Sequence, residues 1–166
     1  MSLKKIIFII ICLCVFIRIF TSCSQEEYSD SLSCSELSNA LSREISVPEG
    51  EFSQYTTEEL KFFFPNQSIY TEAYIIYSAD STDIAELGIL RASDEESAKT
   101  LYEEVKSYIK NLQEQKQEFL RNYAPNELQK LNSAQARRYG SYVIFTVSDS
   151  SEQKNVFEKA DKLLSK

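Results

Sequence analysis

Histidine and tryptophan are absent from this chain of 166 residues, glycine and proline occur three times each, and methionine once. Without histidine there is no Ser–His or Cys–His nucleophile pair and no imidazole ligand, so the commonest general base and metal donor are both missing. The glycines, Gly50, Gly88 and Gly140, are scattered, which leaves no glycine-rich loop to cradle a phosphate. Cysteine is scarce and unevenly placed. Cys12 and Cys14 lie inside an apolar run, Cys23 stands at its exit, and Cys34 follows alone. If the first three are removed or modified, no internal disulfide forms and no thiolate zinc set exists. Stability must then come from packing, with ten Phe and ten Tyr to supply much of it.

What is present begins at the N-terminus. Lys4 and Lys5 precede an unbroken apolar stretch from Ile6 to Ile17, and Arg18 interrupts it before Phe20-Thr21-Ser22-Cys23. A basic start, a short apolar core and a small-residue exit are the parts of a secretory signal peptide. The run is short of the roughly 20 residues a bilayer-crossing helix needs. Phe20-Thr21-Ser22-Cys23 resembles the lipobox of bacterial lipoproteins, with Thr and Ser in their usual places and Phe20 standing where Leu is common. The resemblance implies cleavage before Cys23 and a lipid on its thiol, with an uncleaved anchor or ordinary export as alternatives. The expected division is a signal peptide over 1–22, a lipidated flexible tether over 23–33 and one extracytoplasmic domain over 34–166. The serine-rich, low-hydrophobicity stretch Ser24–Ser33 is the tether, spanning about 17 Å as a coil.

All 25 acidic residues follow Cys23, against 15 of the 18 basic ones, so the mature part carries a net charge of −10. A surface of that sign repels nucleic acid, which is not an expected partner.

Hydrophobic periodicity and punctuation then divide the body. Ser33 with Glu36 makes a capping box for a helix from Cys34 to about Ile45, and Thr56 with Glu59 caps a short second helix stopped by Pro65. Ile69–Ser78 and Ile84–Ala92 read as a hairpin around Asp80-Ser81-Thr82-Asp83, with Ala85, Leu87 and Ile89 on one face and Glu86 and Gly88 on the other. Ser93 with Glu96 caps a long helix over 94–122, about 43 Å at 1.5 Å per residue. Its Gln113–Glu118 stretch should project past the sheet. Pro125 opens a short helix, Ala134–Tyr139 and Tyr142–Ser148 form a second hairpin at Gly140, and Asp149 with Glu152 caps the last helix. The expected fold is α+β: a four-stranded antiparallel sheet from two hairpins, with the long and C-terminal helices on one face and two short helices before it.

The stretch Ile84-Ala85-Glu86-Leu87-Gly88-Ile89-Leu90-Arg91-Ala92-Ser93-Asp94-Glu95-Glu96 carries a further likeness, as do Tyr123-Ala124-Pro125 and Gly140-Ser141-Tyr142-Val143-Ile144-Phe145-Thr146-Val147-Ser148-Asp149. Together they resemble a family of small Gram-positive lipoproteins catalogued as a domain of unknown function, of the 4358 type. The resemblance implies an extracytoplasmic lipoprotein and brings no catalytic residue.

Candidate chemistry is sparse. Glu95/Glu96 and Glu103/Glu104 are paired carboxylates, but helical neighbours diverge by about 100° and read as a solvated face. Asp80, Asp83 and Glu86 offer a weak calcium set with too few ligands, favouring turn chemistry. Cys34 at a first helical position has a dipole-lowered thiol pKa in the functional reading and is a small cap residue in the bland one. Arg137, Arg138 and Tyr139 place two charges and an aromatic at a hairpin tip, where an anionic envelope polymer or acidic protein partner could dock. No cofactor and no metal are expected. The expected role is a non-enzymatic binding or interaction module, held by the lipid on Cys23 at the outer face of the bacterial cytoplasmic membrane. A carboxylate-dependent envelope hydrolase is the alternative.

Overall fold

A computed structural model describes residues 28–166. The expected signal peptide and Cys23 lie outside the described residues. The element order is α1 (Cys34–Leu41), β1 (Phe52–Gln54), α2 (Thr57–Phe63), β2 (Tyr70–Ser78), β3 (Glu86–Ala92), α3 (Glu95–Tyr123), α4 (Pro125–Ser133), β4 (Gln135–Tyr139), β5 (Tyr142–Val147) and α5 (Ser150–Leu164). The α+β class and both hairpins match the expectation. The capping boxes at Ser33/Glu36, Thr56/Glu59 and Asp149/Glu152 are formed. The fourth is displaced by one residue: Asp94 caps α3 by accepting from the Ser97 N–H, while Ser93 Oγ donates to Ser97 Oγ.

Two features of the expected architecture are corrected. The sheet has five strands, not four, in the order β1-β2-β3-β5-β4, all antiparallel. The extra strand, Phe52-Ser53-Gln54, is three residues long and pairs only with the end of β2, too short for its alternation to stand out in sequence. The helices also cover both faces of the sheet, not one. Strand β5 is buried at every position and β3 at all but one, so each face needs its own cover. On one side α1 and α5 pack Leu37, Leu41 and Phe157 against Leu87, Ile89 and Ile144. On the other, α3 packs Leu101, Val105 and Tyr108 against Ile75, Leu90 and Phe145, with α2 beside it.

The described part of the expected 23–33 tether, residues 28–33, is docked on the domain. Tyr28 forms an antiparallel bridge with Ser165, and the Ser29 N–H donates to the Leu164 carbonyl at 2.7 Å. Tyr28 stacks edge-on against Tyr139 with centroids 5.4 Å apart, Ser141 Oγ donates to Asp30 at 2.6 Å, and the Tyr142 hydroxyl donates to the Leu32 carbonyl. Gly140, at the β4–β5 turn with φ +56°, leaves room for this segment: a Cβ there would sit 3.2 Å from Tyr28 Cβ. Residues 28–33 thus belong to the body.

Helix α3 reaches past the sheet, as its length requires, and Glu114–Phe119 are exposed. The overhang is braced. Helix α4 folds back beneath it, and Gln113 Nε2 donates to the Leu131 carbonyl at 3.0 Å.

Candidate functional site

The α2/α3 face contains the groups that the core does not need. Glu86, the first residue of β3, is 3% exposed beneath its helical cover and accepts from the Tyr108 hydroxyl at 2.8 Å. The Tyr108 oxygen lies 3.4 Å from that of Tyr55, extending a hydroxyl chain. Burial pushes the Glu86 carboxyl up to about 7, against the opposing pull of the Tyr108 hydrogen bond and the Lys116 charge. Burial raises Tyr55 to about 12, with the Glu86 charge adding to it, and the same causes drive Tyr108 upward.

An aromatic shell encloses this chain. Tyr108 meets Phe63, Phe64 and Phe145 at centroid distances of 5.3, 5.2 and 5.5 Å. Tyr55 meets Tyr77 and Phe63 at 4.9 and 5.3 Å. Gly88 makes the arrangement possible. It pairs with Phe145 across β5, and a Cβ at Gly88 would fall 1.9 Å from the ring's Cε1. The missing side chain lets the ring lie over the strand, which sets the height at which Tyr108 reaches Glu86.

Outside the shell, α2 and α3 part to leave a groove of about 680 Å³. Phe62, Phe63 and Tyr108 form its aromatic wall, and Glu103, Glu104 and Gln115 line the α3 side. Phe62 is 79% exposed. Glu103 is engaged by Lys106 at 2.8 Å, whereas Glu104 Oε2 is buried with no hydrogen-bond partner. The volume is that of a small-molecule or side-chain pocket, and an exposed aromatic beside a carboxylate is suited to binding.

The sequence candidates fall elsewhere. Arg137 and Arg138 are exposed on the edge strand β4 and point to opposite faces. The Arg137 guanidinium lies 4.3 Å from the centre of the Phe157 ring, on the α1/α5 side. Tyr139 is buried, its hydroxyl donating to the Phe157 carbonyl at 3.4 Å. The trio is therefore not gathered at one tip, and the two charges guard a free sheet edge. Asp80 closes its own turn on Thr82, Asp83 binds Lys130 at 3.0 Å, and Glu86 is inside; among the described residues no acidic group gathers as a metal site. Cys34 is fully buried. Its backbone N–H donates to Glu72 Oε1 at 2.9 Å, and burial together with that carboxylate pushes the thiol up, which speaks against the reactive-thiol reading and agrees with the favoured one of a small residue at a helix cap. Glu86 lies, as its register predicts, on the face of β3 opposite Ala85, Leu87 and Ile89. Its burial follows from the second helical layer, and the one sequence sign of it was Gly88 within the strand.

A small α+β domain with helices on both faces of an antiparallel sheet and an open groove between two of them is the class defined by this geometry. Residues 46–148 match the model of the family described as a domain of unknown function (DUF4358), and the chain belongs to that family. That span runs from before β1 to the end of β5 and includes both the groove and the Glu86 chain. No curated protein and no solved structure matches the chain. No helix among the described residues is long and apolar enough to cross a membrane.

Proposed function

We propose that the protein is a lipid-anchored extracytoplasmic lipoprotein that acts as a non-enzymatic binding module at the bacterial cell envelope. The observation that carries the binding role is the α2/α3 groove: an aromatic wall and an unpartnered carboxylate oxygen, held open beside a rigid shell. The anchor rests on Phe20-Thr21-Ser22-Cys23, with diacylglycerol on the Cys23 thiol. Because residues 28–33 are docked, only Ser24–Glu27 separate Cys23 from the body, a reach of at most about 18 Å when extended. The body then stands against the membrane with its leader-side end inward. The partner is an envelope protein or an anionic envelope polymer, for which Arg137 and Arg138 supply the cationic edge of an acidic body.

Mass spectrometry of the N-terminal peptide from membranes tests the anchor. Diacylated Cys23 is the expected terminus, and Cys23→Ala should release the chain from the membrane fraction. Recovery from cytosol with Met1 in place overturns it. A photo-cross-linking residue at Gln115, in the groove, tests the binding role in intact cells. It should give a discrete adduct that Phe62→Ala abolishes, while the same residue at Lys154 on α5 gives none. Equal labelling at both positions, or none at Gln115, overturns the role.

A further inference from the structure

We propose that the end of the protein opposite Tyr28 carries a subsite for one pyranose ring of an envelope glycan, built from Phe119 and Tyr123 of α3 and Asp83 of the β2–β3 turn. The proposal rests on the binding-module reading and adds to it a ligand class and a site separate from the α2/α3 groove.

The topology sets the place. Helix α3 runs antiparallel to β3, so its C-terminal turn comes to the β2–β3 turn. The docked residues 28–33 lie at the other end, against Gly140, Ser141 and Ser165. Phe119 and Tyr123 are one helical turn apart, 59% and 77% exposed, with ring centroids 5.0 Å apart and planes 32° from parallel. At that distance and tilt the rings stack offset on one another, so the apolar platform they offer is one outer ring face with the edge of its neighbour, in a position where neither contributes to the core, which marks a contact surface.

Beneath the platform lies a cavity of about 160 Å³, lined also by Asp83, Lys116 and Leu120. That is the share of roughly five waters at ~30 Å³ each, well under the pocket of a drug-sized ligand. It suits a single ring. Asp83 is 4% exposed in its side chain. Its Oδ1 accepts from Lys130 Nζ at 3.0 Å and from the Ala85 N–H at 2.8 Å, but Oδ2 is buried with no partner. A buried carboxylate oxygen left unsatisfied calls for a donor.

The ligand chemistry follows from these parts. A cationic ligand would meet Lys116 and Lys130. A purely apolar one would cover the rings and leave Asp83 Oδ2 without a donor. A pyranose has a C–H face to lay on Phe119 and Tyr123, hydroxyls to donate to Asp83 Oδ2, and oxygens to accept from Lys116. At the end away from the anchor, such a site faces the wall and not the membrane.

Saturation-transfer NMR on the full chain in detergent micelles tests this, with the β-1,4-linked tetramer of N-acetylglucosamine and maltotetraose as probes. Transfer to ring C–H protons of at least one probe is expected. Binding should weaken about tenfold or more, the equivalent of 1.4 kcal/mol, in the Phe119→Ala/Tyr123→Ala double variant. It should weaken also in Asp83→Asn and persist in Phe62→Ala, which alters only the groove. Because both rings are exposed, the double variant keeps its fold, and its circular dichroism should match that of the parent chain. No transfer to either probe, undiminished transfer in the double variant, or sedimentation showing a dimer abolished by that variant would each overturn the proposal. A chain that is acylated at Cys23 and cross-links from Gln115 but ignores both sugars sinks this inference alone. One that binds sugar without acylation sinks only the anchor.

Discussion

The two faces of the sheet share the strands β3 and β5 and yet are finished differently. On the α1/α5 face the meeting residues are apolar and buried: Leu37, Leu41, Leu87, Ile89, Ile144 and Phe157. On the α2/α3 face the same strands present a carboxylate at Glu86 and a bare backbone at Gly88, and the cover above them stops short of closing. Coverage explains the difference. Helix α3 spans its face in one piece, while α2 has seven residues and none of them is buried. One layer is sealed by packing. The other spends part of its area on an aromatic shell and an open groove, so the place for function is the face whose burial is incomplete.

That contrast predicts where truncation hurts. Phe157→Ala, at the centre of the sealed face, should lower stability by about 3–5 kcal/mol, read from the midpoint of urea unfolding. A loss under about 1 kcal/mol would mean that the face tolerates a void the size of a ring, and the contrast would fail.

The Glu86 carboxylate sharpens it through pH. Its folded pKa, about 7, lies above the unfolded value near 4.3. The folded state therefore holds an extra proton between those values. The neutral carboxyl's contribution is complete below about pH 4 and is lost as pH rises through 7. Glu86→Gln removes the titration. Between pH 4.5 and pH 8 the stability difference between the variant and the parent should shift in the variant's favour by on the order of 3 kcal/mol. A flat difference across that range would show that Glu86 is charged in the fold throughout.

Much of the scaffold was legible in the sequence because it rests on local signals. Ser33/Glu36, Thr56/Glu59 and Asp149/Glu152 announce helix starts within four residues of chain, and Gly140 marks a turn. What was not legible depends on residues far apart. Strand β1 exists only because Gln54 finds Ile76, and Glu86 is inside only because Tyr108, on α3, closes over it. The alternation of Ala85, Leu87 and Ile89 suggested one buried face, and one buried face suggested one helical layer. Gly88 argued otherwise: a strand glycine with no turn to make signals that something approaches closely. The groove and the Asp83 orphan oxygen arise from how α2, α4 and the β2–β3 turn are placed against α3, which no periodicity encodes.

Gly88 gives the next prediction. In Gly88→Ala the new methyl must displace the Phe145 ring, whose nearest atoms would lie at 1.9 and 2.4 Å. Overpacking of this kind costs about 1–3 kcal/mol. The displaced ring also lifts Tyr108 from Glu86 and removes a hydrogen bond that opposes the effect of burial, so the variant's pH response at Glu86 should grow while its stability falls. Stability loss with an unchanged pH response would show that the Tyr108–Glu86 bond does not depend on how Phe145 lies.

The smallest effect on folding is expected at Phe62, and it separates the two faces most cleanly. Phe62 is among the largest side chains of the α2/α3 face, but it is 79% exposed and touches Phe63 edge-on at 5.2 Å without entering the core. Phe62→Ala should therefore change stability by no more than about 0.5 kcal/mol, the usual range for surface substitutions. Phe157→Ala removes a side chain of identical composition and should cost several times as much. If Phe62 were a structural residue, the two truncations would converge, and the groove adduct at Gln115 would fade only in proportion to unfolding. If it is kept for binding, the adduct is lost from a chain whose urea midpoint has not moved. That dissociation of contact from stability is what distinguishes a wall built to meet a ligand from a core left unfinished.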